Sequence, residues 1–592
     1  MEREAFLELY RHSLAHVLAK AVIEIFGKEN VQYAIGPQIA DGFYYDFTLP
    51  RTITSDDYKT IENKMREILK RKEDWRCEDI DRASALALFQ DQKFKTELIE
   101  DLPEDEKLTV YYTGDDFVDL CRGPHVENSQ QLLGTAFQVK SASGAYWRGD
   151  EHRDSLQRIY VYAYPDKKQL KEHIQLVREA MERDHKKLGP QLDLFMFDST
   201  APGMPYWLPR GFRLYNALLD YWRELHEDAG YTEIMAPMIQ KKELWLTSGH
   251  WAHYQVGMFI LPGEEEDGAD TYAAKPMNCP NAILVYKRER RSYKELPIRI
   301  NQVDPIHRKE KSGELNGLFR VQLFHQDDAH IFITEEQIEE EIGRIMEVAG
   351  TLYDTFGLTY KAELSTRPED YMGDIEVWNR AEDALKAILG KMYGEGNFEI
   401  NEGDGAFYGP KIDLSMQDCL GREWQMGTIQ LDFQLPLNFD LKYVAADGSL
   451  QQPVMIHRAI FGSFERFIGI LIENFKGMFP FWLSPVQVGI VPIRTEHNAY
   501  AQEVAALLRK NHIRYEADYS DKNMKEKIKQ YKNYKDPYII VLGEREASER
   551  TVSINLRGSN RQIQNVPLDI FVGMCRRMNE EHMLELIDSL PE

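Results

Sequence analysis

Two sets of residues in this chain have the types needed for chemistry rather than packing alone. Cys279 stands in Lys275-Pro-Met-Asn-Cys-Pro280, His330 in Gln326-Asp-Asp-Ala-His330, and His457 in Met455-Ile-His-Arg458. One thiolate and two imidazoles suit tetrahedral zinc, and three protein ligands leave a fourth position open to a substrate. The three lie so far apart in the chain that spacing alone leaves a second reading open, a buried cysteine and two hydrogen-bonded histidines. The other set begins with His12-Ser-Leu-Ala-His16, where i, i+4 spacing in an amphipathic helical pattern puts both imidazoles on one face. Cys121-Arg-Gly-Pro-His125 adds a thiol and an imidazole on a loop, because Gly123-Pro124 would break a helix. By composition this is another zinc site; two unrelated pairs are the alternative.

Such constellations need elements to hold them. At 592 residues the chain is too long for one core, and three or four domains are expected. After Pro165, apolar residues at Leu170, Ile174, Val177 and Met181 predict a connecting helix within 165–189, stopped by Gly189-Pro190. A long region follows in which amphipathic helices mix with strand patterns such as Phe319 to Ile333 and Glu423 to Phe433. Beyond Ser484-Pro485 the pattern becomes strand, helix, strand: Val486 to Val491, Asn498 to Lys510, Ile513 to Asp518, then Tyr538 to Val541. That alternation predicts a small α/β domain. Three units result: 1–164, 190–484 and 485–592.

Composition narrows the class. There is no run of about 18 apolar residues to span a membrane, and Met1-Glu2-Arg3-Glu4 leads into a helical pattern rather than a signal peptide, so a cytoplasmic location without membrane attachment is expected. Five scattered cysteines form no disulfide framework. The net charge of -25 opposes a uniformly nucleic-acid-binding surface but permits local basic grooves.

Several motifs occur in a telling order: Pro276-Met-Asn-Cys-Pro280, Gln326-Asp-Asp-Ala-His-Ile-Phe332, Gly405-Ala-Phe-Tyr-Gly-Pro-Lys411, Gln430-Leu-Asp-Phe433 and Ile456-His-Arg-Ala459. Over essentially its whole length the sequence resembles the threonyl-tRNA synthetases, in a form lacking the N-terminal ubiquitin-like TGS domain, since His12 has only eleven residues before it. The resemblance implies an α+β multidomain fold: a class II antiparallel-sheet core flanked by helices (190–484), an N-terminal α+β editing domain (1–164) and a C-terminal α/β anticodon-binding domain (485–592). It implies activation of L-threonine with ATP and Mg2+, transfer to tRNA(Thr), and a homodimer built near Pro237, the motif 1 proline. It also implies a zinc ion in each subunit on Cys279, His330 and His457, taking the amino group and hydroxyl of threonine. Valine has no hydroxyl to offer such an ion, whereas an apolar pocket separates isosteres poorly. Serine lacks only a methyl, worth roughly 1 to 3 kcal/mol, so it leaks through and a second check is needed.

The resemblance assigns further roles. Motif 2 runs from His307-Arg-Lys-Glu310 to Gly317-Leu-Phe-Arg-Val321, hairpin-like about Ser312-Gly313, and motif 3 is Gly462-Ser-Phe-Glu-Arg-Phe-Ile-Gly469. Arg308 would hold the α-phosphate, Arg466 the γ-phosphate and Glu310 the adenine edge, while Phe324 stacks on the ring and Arg320 helps at the phosphates. Arginine is well shaped for such oxygens. Gln425 and Thr428 match the ATP pocket, Gln326, Asp328 and Tyr408 the threonine amino group, and His250 the group that assists the tRNA ribose hydroxyl. In the editing domain His12 and Lys95 match the main catalytic positions and His16, Tyr45, Asp119, Cys121 and His125 the surrounding pocket, which hydrolyses seryl-tRNA, generally without a metal. The sequence departs from the family at Asn281-Ala282 (usually Gly-His), Gln302-Val303-Asp304 (Glu-Phe-Gly), Gln322-Leu323 (Arg-Gly) and Asn555 (often Arg). In the last unit Lys522, Lys525, Lys527, Lys529, Lys532, Arg557 and Arg561 could reach RNA. Two rival readings are a regulatory RNA-binding paralogue without aminoacylation, and a hydrolase whose main activity is the N-terminal site.

Overall fold

The structure is a computed structural model that describes residues 2–263, 271–394, 396–559 and 561–589, with backbone alone for residues 2–6. The chain divides into two compact units, residues 1–178 and 179–592.

In the first unit, helix α1 (Glu2–Phe26) buries every residue from 13 to 22, setting Leu14, Val17, Leu18 and Val22 in one core with Phe43, Tyr45 and Phe47 of strand β1 (Gly42–Thr48). The pattern read as amphipathic belongs instead to a helix enclosed around its circumference. Lys20 tolerates burial because it is paired: its Nζ lies 2.7 Å from Glu73 Oε2 and 3.1 Å from the Thr113 carbonyl. β1 runs between Gln32–Tyr33 and Ser155–Tyr164 in a five-stranded sheet. Helix α2 (Lys93–Asp101) and a three-stranded antiparallel sheet ending in β2 (Phe117–Leu120) complete the surroundings of the histidines.

Two helices follow, α3 (Lys167–Arg183) and α4 (His185–Gln191). The break falls at Asp184, whose side chain accepts from the Lys186 amide, and α4 continues through Gly189-Pro190, which the sequence marks as the stop. Gly189 is required for packing: a Cβ there would lie 2.2 Å from the Phe195 ring.

The second unit is built on an eight-stranded sheet in the order Thr232–Glu233, Ile298–Gln302, β3 (Asp328–Ile333), β5 (Val454–Ala459), β4 (Glu423–Asp432), Lys411–Gln417, Tyr360–Ser365, Glu399–Asn401. The pairings inside are antiparallel and the two outermost parallel. Successive strand residues face opposite ways. Ile331, Ile333, Ile429, Leu431 and Ile456 join a helical core with Trp222, Ile342, Leu385, Phe467 and Ile468. The alternating set, His330, Thr428, Gln430 and His457, is left for the opposite face. There helix α5 (Cys279–Lys287) packs through Ala282, Ile283 and Tyr286 with Ile300, Phe332 and Met455. Helix α6 (Phe464–Asn474) follows β5.

The C-terminal sheet places Tyr515–Ala517, Val488–Pro492 and Tyr538–Leu542 in parallel, then adds two antiparallel strands, Thr551–Leu556 and Gln562–Pro567. The predicted helix is present as Asn498–Lys510. Ionic and backbone contacts tie this domain to the rest of the second unit: Arg210, on the helix Pro209–Asp228, bridges to Glu516 at 3.0 Å and to Asp536, and Arg557 donates to the carbonyls of Phe479 and Lys535. Arg557 is therefore committed to the joint, and Lys527 is buried on the carbonyls of Pro492 and Asp518; neither is presented to RNA as the sequence suggests.

Candidate active sites

Strand register creates the central site. β3 sets His330 opposite His457 of β5, which stands opposite Gln430 of β4. Directly opposed residues share a face, so the two imidazoles converge with ring centres 5.0 Å apart. Cys279, at the first turn of α5, closes the group, and the ligand atoms of all three lie within 4.8 Å of one another. All three residues are buried. Neither ring nitrogen of His330, nor Nδ1 of His457, has a hydrogen-bond partner. Buried polar atoms are seldom left so, and these are poised to receive a ligand. Nε2 of His457 is held by Asp432 at 2.8 Å, the outer support usual for a ligating histidine. The donor set fits zinc. Asp184, His185 and Glu473 also cluster, but both His185 nitrogens are engaged, by Glu473 at 2.7 Å and the Leu318 amide at 3.0 Å.

A cavity of about 370 Å³ opens over this group, lined also by Gln326, Asp328, Tyr408, Met277 and Phe407. Burial pushes the Asp328 carboxyl up to about 6 despite the Asn278 amide that donates to it at 3.0 Å. Burial, followed by Cys279, Asp432 and Asp328, holds the Tyr408 phenol well above its ordinary value, so it remains a donor, to Gln430 Oε1 at 2.5 Å.

A second cavity, about 360 Å³, is lined by Arg308, Glu310, Arg320, Phe324, Gln425, Thr428 and Arg466, all seven residues expected at ATP, together with Phe319 and Ser463. Arg308, Gln326, Thr428 and Ala459 line both cavities. Pro305–His307 pairs antiparallel with Leu323–His325, which realises the hairpin-like motif 2. The Arg308 guanidinium lies 5.1 Å from the Phe324 ring centre and donates to the Pro276 carbonyl. Arg320 is held by Glu310 at 2.8 Å and Glu314 at 2.6 Å. Arg466 donates to the carbonyls of Phe319 and Gln425, both at 3.1 Å. Burial, then Arg320 and Arg308, lower the pKa of Arg466; three cations facing one cavity complement a polyanion. Thr428 Oγ1 is buried and unpartnered. A strand irregularity beside Ser415 lets Gln425 reach Asp413 at 2.6 Å.

His250 is not in either lining. It is fully buried behind Met277, whose sulfur is 2.9 Å from Nε2, with Ser248 Oγ 2.8 Å from Nδ1. Burial, then His457 and Arg308, push it down to about 4. The departures from family pattern are accommodated. Gln302 and buried Lys275 both donate to Asp304, at 2.9 and 2.8 Å, Gln322 donates to the Pro202 carbonyl, and Asn281 accepts from Gln240. The sequence motifs contain Asn278, Phe319, Gln430 and Asp432 but assign none of them a role. Strand alternation from Gln430 to Asp432 was the available signal.

In the first unit, His12, His16, Cys121 and His125 present their ligand atoms within 4.8 Å of one another. Cys121 Sγ lies 3.2 Å from both His12 Nε2 and His125 Nε2. Beside it, buried Asp119 joins Lys95, accepts from Tyr45 OH at 2.5 Å and lies 3.5 Å from His16 Nε2. Lys95 is only 2% exposed. Desolvation lowers the pKa of His12, His16 and His125 and pushes the Cys121 thiol up to about 11. The result is a group of neutral imidazoles beside a buried ammonium, a set that could accept a proton from water and support an oxyanion.

Residues 260–475 match the tRNA synthetase class II core domain (G, H, P, S and T), residues 487–578 an anticodon binding domain, and residues 108–160 the threonyl and alanyl tRNA synthetase second additional domain. The chain is 46% identical to the threonine–tRNA ligase of Thermotoga neapolitana over 98% of its length and 89% of that protein. It is 47% identical to that of Petrotoga mobilis, over 99% and 90%. Among solved structures, the RNA binding domain of threonyl-tRNA synthetase from Cryptosporidium parvum superposes with a TM-score of 0.64 at 41% identity, covering 67% of this chain and 98% of that one. The putative threonyl-tRNA synthetase ThrRS-1 of Aeropyrum pernix gives 0.56 at 28%, covering 68% and 95%. With that identity sustained over nearly the whole chain, and with the class II core, anticodon-binding and second additional domains all matched, the chain belongs to the threonine–tRNA ligase family of class II synthetases.

Proposed function

We propose that the chain activates L-threonine with ATP and Mg2+, transfers it to tRNA(Thr), and hydrolyses mischarged seryl-tRNA(Thr) at the N-terminal site. The observation that carries the first part is the wall shared by the two cavities. Arg308, Gln326 and Thr428 face both, so an amino acid held over Cys279, His330 and His457 presents its carboxylate where Arg308 meets the α-phosphate of ATP. Arg466 and Arg320 take the remaining phosphate charge, and the Phe324 ring offers a face to adenine. Asp328 and Tyr408 bracket the amino group. Zinc bound by Cys279, His330 and His457 would supply a Lewis acid with a position open to threonine. His250, buried and neutral, acts through Met277 and Phe407 rather than from the cavity wall.

For the homodimer, support comes from apolar side chains left on the motif 1 segment: Met235 is 91% exposed, and Met238, Ile239 and Leu284 are exposed beside it, linked by the Gln240–Asn281 bond. No helix among the described residues is long and apolar enough to cross a membrane.

Threonine-dependent pyrophosphate exchange tests this reading and separates it from a regulatory paralogue and from a pure hydrolase. C279A and H330A are expected to abolish exchange and to leave the purified chain without stoichiometric zinc. Exchange that ignored threonine, or that survived both substitutions, would overturn it.

A further inference from the structure

His185, at the start of α4, is buried outside both cavities, yet its ring joins motif 2 to α6, the helix that carries most of motif 3. Nε2 accepts from the Leu318 amide at 3.0 Å. A backbone amide can only donate, so Nε2 is unprotonated and Nδ1 carries the hydrogen, which it gives to Glu473 Oε1 at 2.7 Å, near the end of α6. Glu473 is itself anchored by the His185 amide at 3.1 Å and by Arg422. The His185 ring rests 4.0 Å, centre to centre, from the ring of Phe319, which lines the ATP cavity and whose carbonyl receives Arg466 Nε. Trp424 covers Phe319 at 4.5 Å. Two glycines permit these approaches. A Cβ on Gly317 would lie 2.3 Å from His185 Nε2, and one on Gly469 would lie 2.9 Å from the Phe319 ring.

We propose that His185 is a positioning residue for the nucleotide. It pins the Leu318-Phe319 backbone of motif 2 to the end of α6, and the Phe319 carbonyl so fixed aims the Arg466 guanidinium before ATP arrives. Preorganisation of this kind raises affinity by removing an ordering cost from binding. The inference rests on the assignment of the second cavity to ATP.

Glutamine and asparagine divide the two bonds of the ring. The longer H185Q side chain can bring its carbonyl near the place of Nε2 and accept from Leu318, while H185N reaches only the place of Nδ1 and can donate to Glu473. H185N is expected to raise the dissociation constant of ATP in calorimetry, and its KM in threonine-dependent exchange, by about three- to tenfold, the worth of one hydrogen bond. H185Q should stay within about twofold of the parent, and the KM for threonine should be unchanged in both. Equal effects of the two variants, a larger effect of H185Q, or a parallel rise in the KM for threonine would overturn the proposal in favour of a merely structural clamp. Should H185N not fold, G317A provides the second test. Its Cβ would stand 2.3 Å from His185 Nε2 and 2.7 Å from Lys186 Cγ, at a φ of +51°, and so parts the Leu318 segment from the ring; an unchanged ATP affinity there overturns the proposal equally. Calorimetry with ATP does not depend on turnover. A parent chain that binds ATP but shows no threonine-dependent exchange would refute the proposed function and leave the His185 comparison decidable.

Discussion

A buried histidine costs least when neutral, and a neutral imidazole is a proton acceptor. His12 thereby becomes a candidate base, 3.2 Å from Cys121, while Lys95, paired with Asp119, is the one cation placed beside it by these contacts. H12A combined with K95A is expected to slow deacylation of seryl-tRNA by at least about 100-fold, the lower range of a lost acid–base group, while threonine-dependent exchange stays within about twofold. Release of labelled serine measures the first quantity, and unchanged release in the double variant would remove the editing assignment. Around the other site, Asp432 fixes the His457 ring through Nε2. D432N should weaken zinc binding about 10- to 100-fold, read by competition with a chelator, whereas an unaltered affinity would mean that Asp432 does not orient a ligand. The type of each of these residues was legible in the sequence. Their number and distance were not, because four side chains from a helix and a loop and three from two strands and a helix are brought together only by tertiary packing.

Elements set how closely those side chains can approach. β4 and β5 pass so near one another that a Cβ on Gly427 would stand 2.2 Å from the Ile460 carbonyl, and Gly427 also lines the ATP cavity. Because a carbonyl of the main chain cannot rotate away as a side chain does, G427A should cost about 1–3 kcal/mol in denaturant unfolding and raise the KM for ATP together with it. An alanine variant of full stability would show that the strands can part without loss. The sequence foretold strands with alternating or continuous apolar patterns and the helix Asn498–Lys510, whose periodicity is undisturbed by tertiary demands. It failed where one residue serves two purposes. Gly189-Pro190 has the chemistry of a helix stop, but Gly189 is there to admit the Phe195 ring, and the chain actually turns at Asp184 through a side-chain cap. The same displacement of the break puts His185 at the first position of α4, where it can reach motif 2. No periodicity signals a residue whose partners are a backbone amide and a distant glutamate.

At the scale of the whole molecule, the two compact units differ in how burial has moved their titrating groups. In residues 1–178, His12, His16, His125 and His173 all have pKa values lowered, with desolvation as the first cause in each. In residues 179–592, His226, His250, His307, His330 and His582 are lowered in the same way, but burial raises Asp327, Asp328 and Asp536, the last two to about 6 and about 7. A histidine held neutral in the folded state contributes stability that is complete above the ordinary value near 6.5 and is lost as pH falls, because only the unfolded chain then takes up the proton. A carboxyl raised by burial has the opposite sign: below its folded value the native state holds the extra proton, so acidification toward about 4 favours folding. Each group acts with a slope of up to roughly 1.4 kcal/mol per pH unit, so four histidines give the first unit an upper limit of about 5.5 kcal/mol per unit below pH 6.5. In the second unit three raised carboxyls oppose five lowered histidines, a net excess of two histidines against four in the first unit. Hydrogen exchange of the full chain, corrected for intrinsic rates, should therefore show protection of α1 falling more steeply between pH 6.5 and 5 than protection of β3 to β5. Parallel losses in both would mean that the three histidines around Cys121 are not held neutral by the fold, and the candidate base at His12 would lose its physical ground.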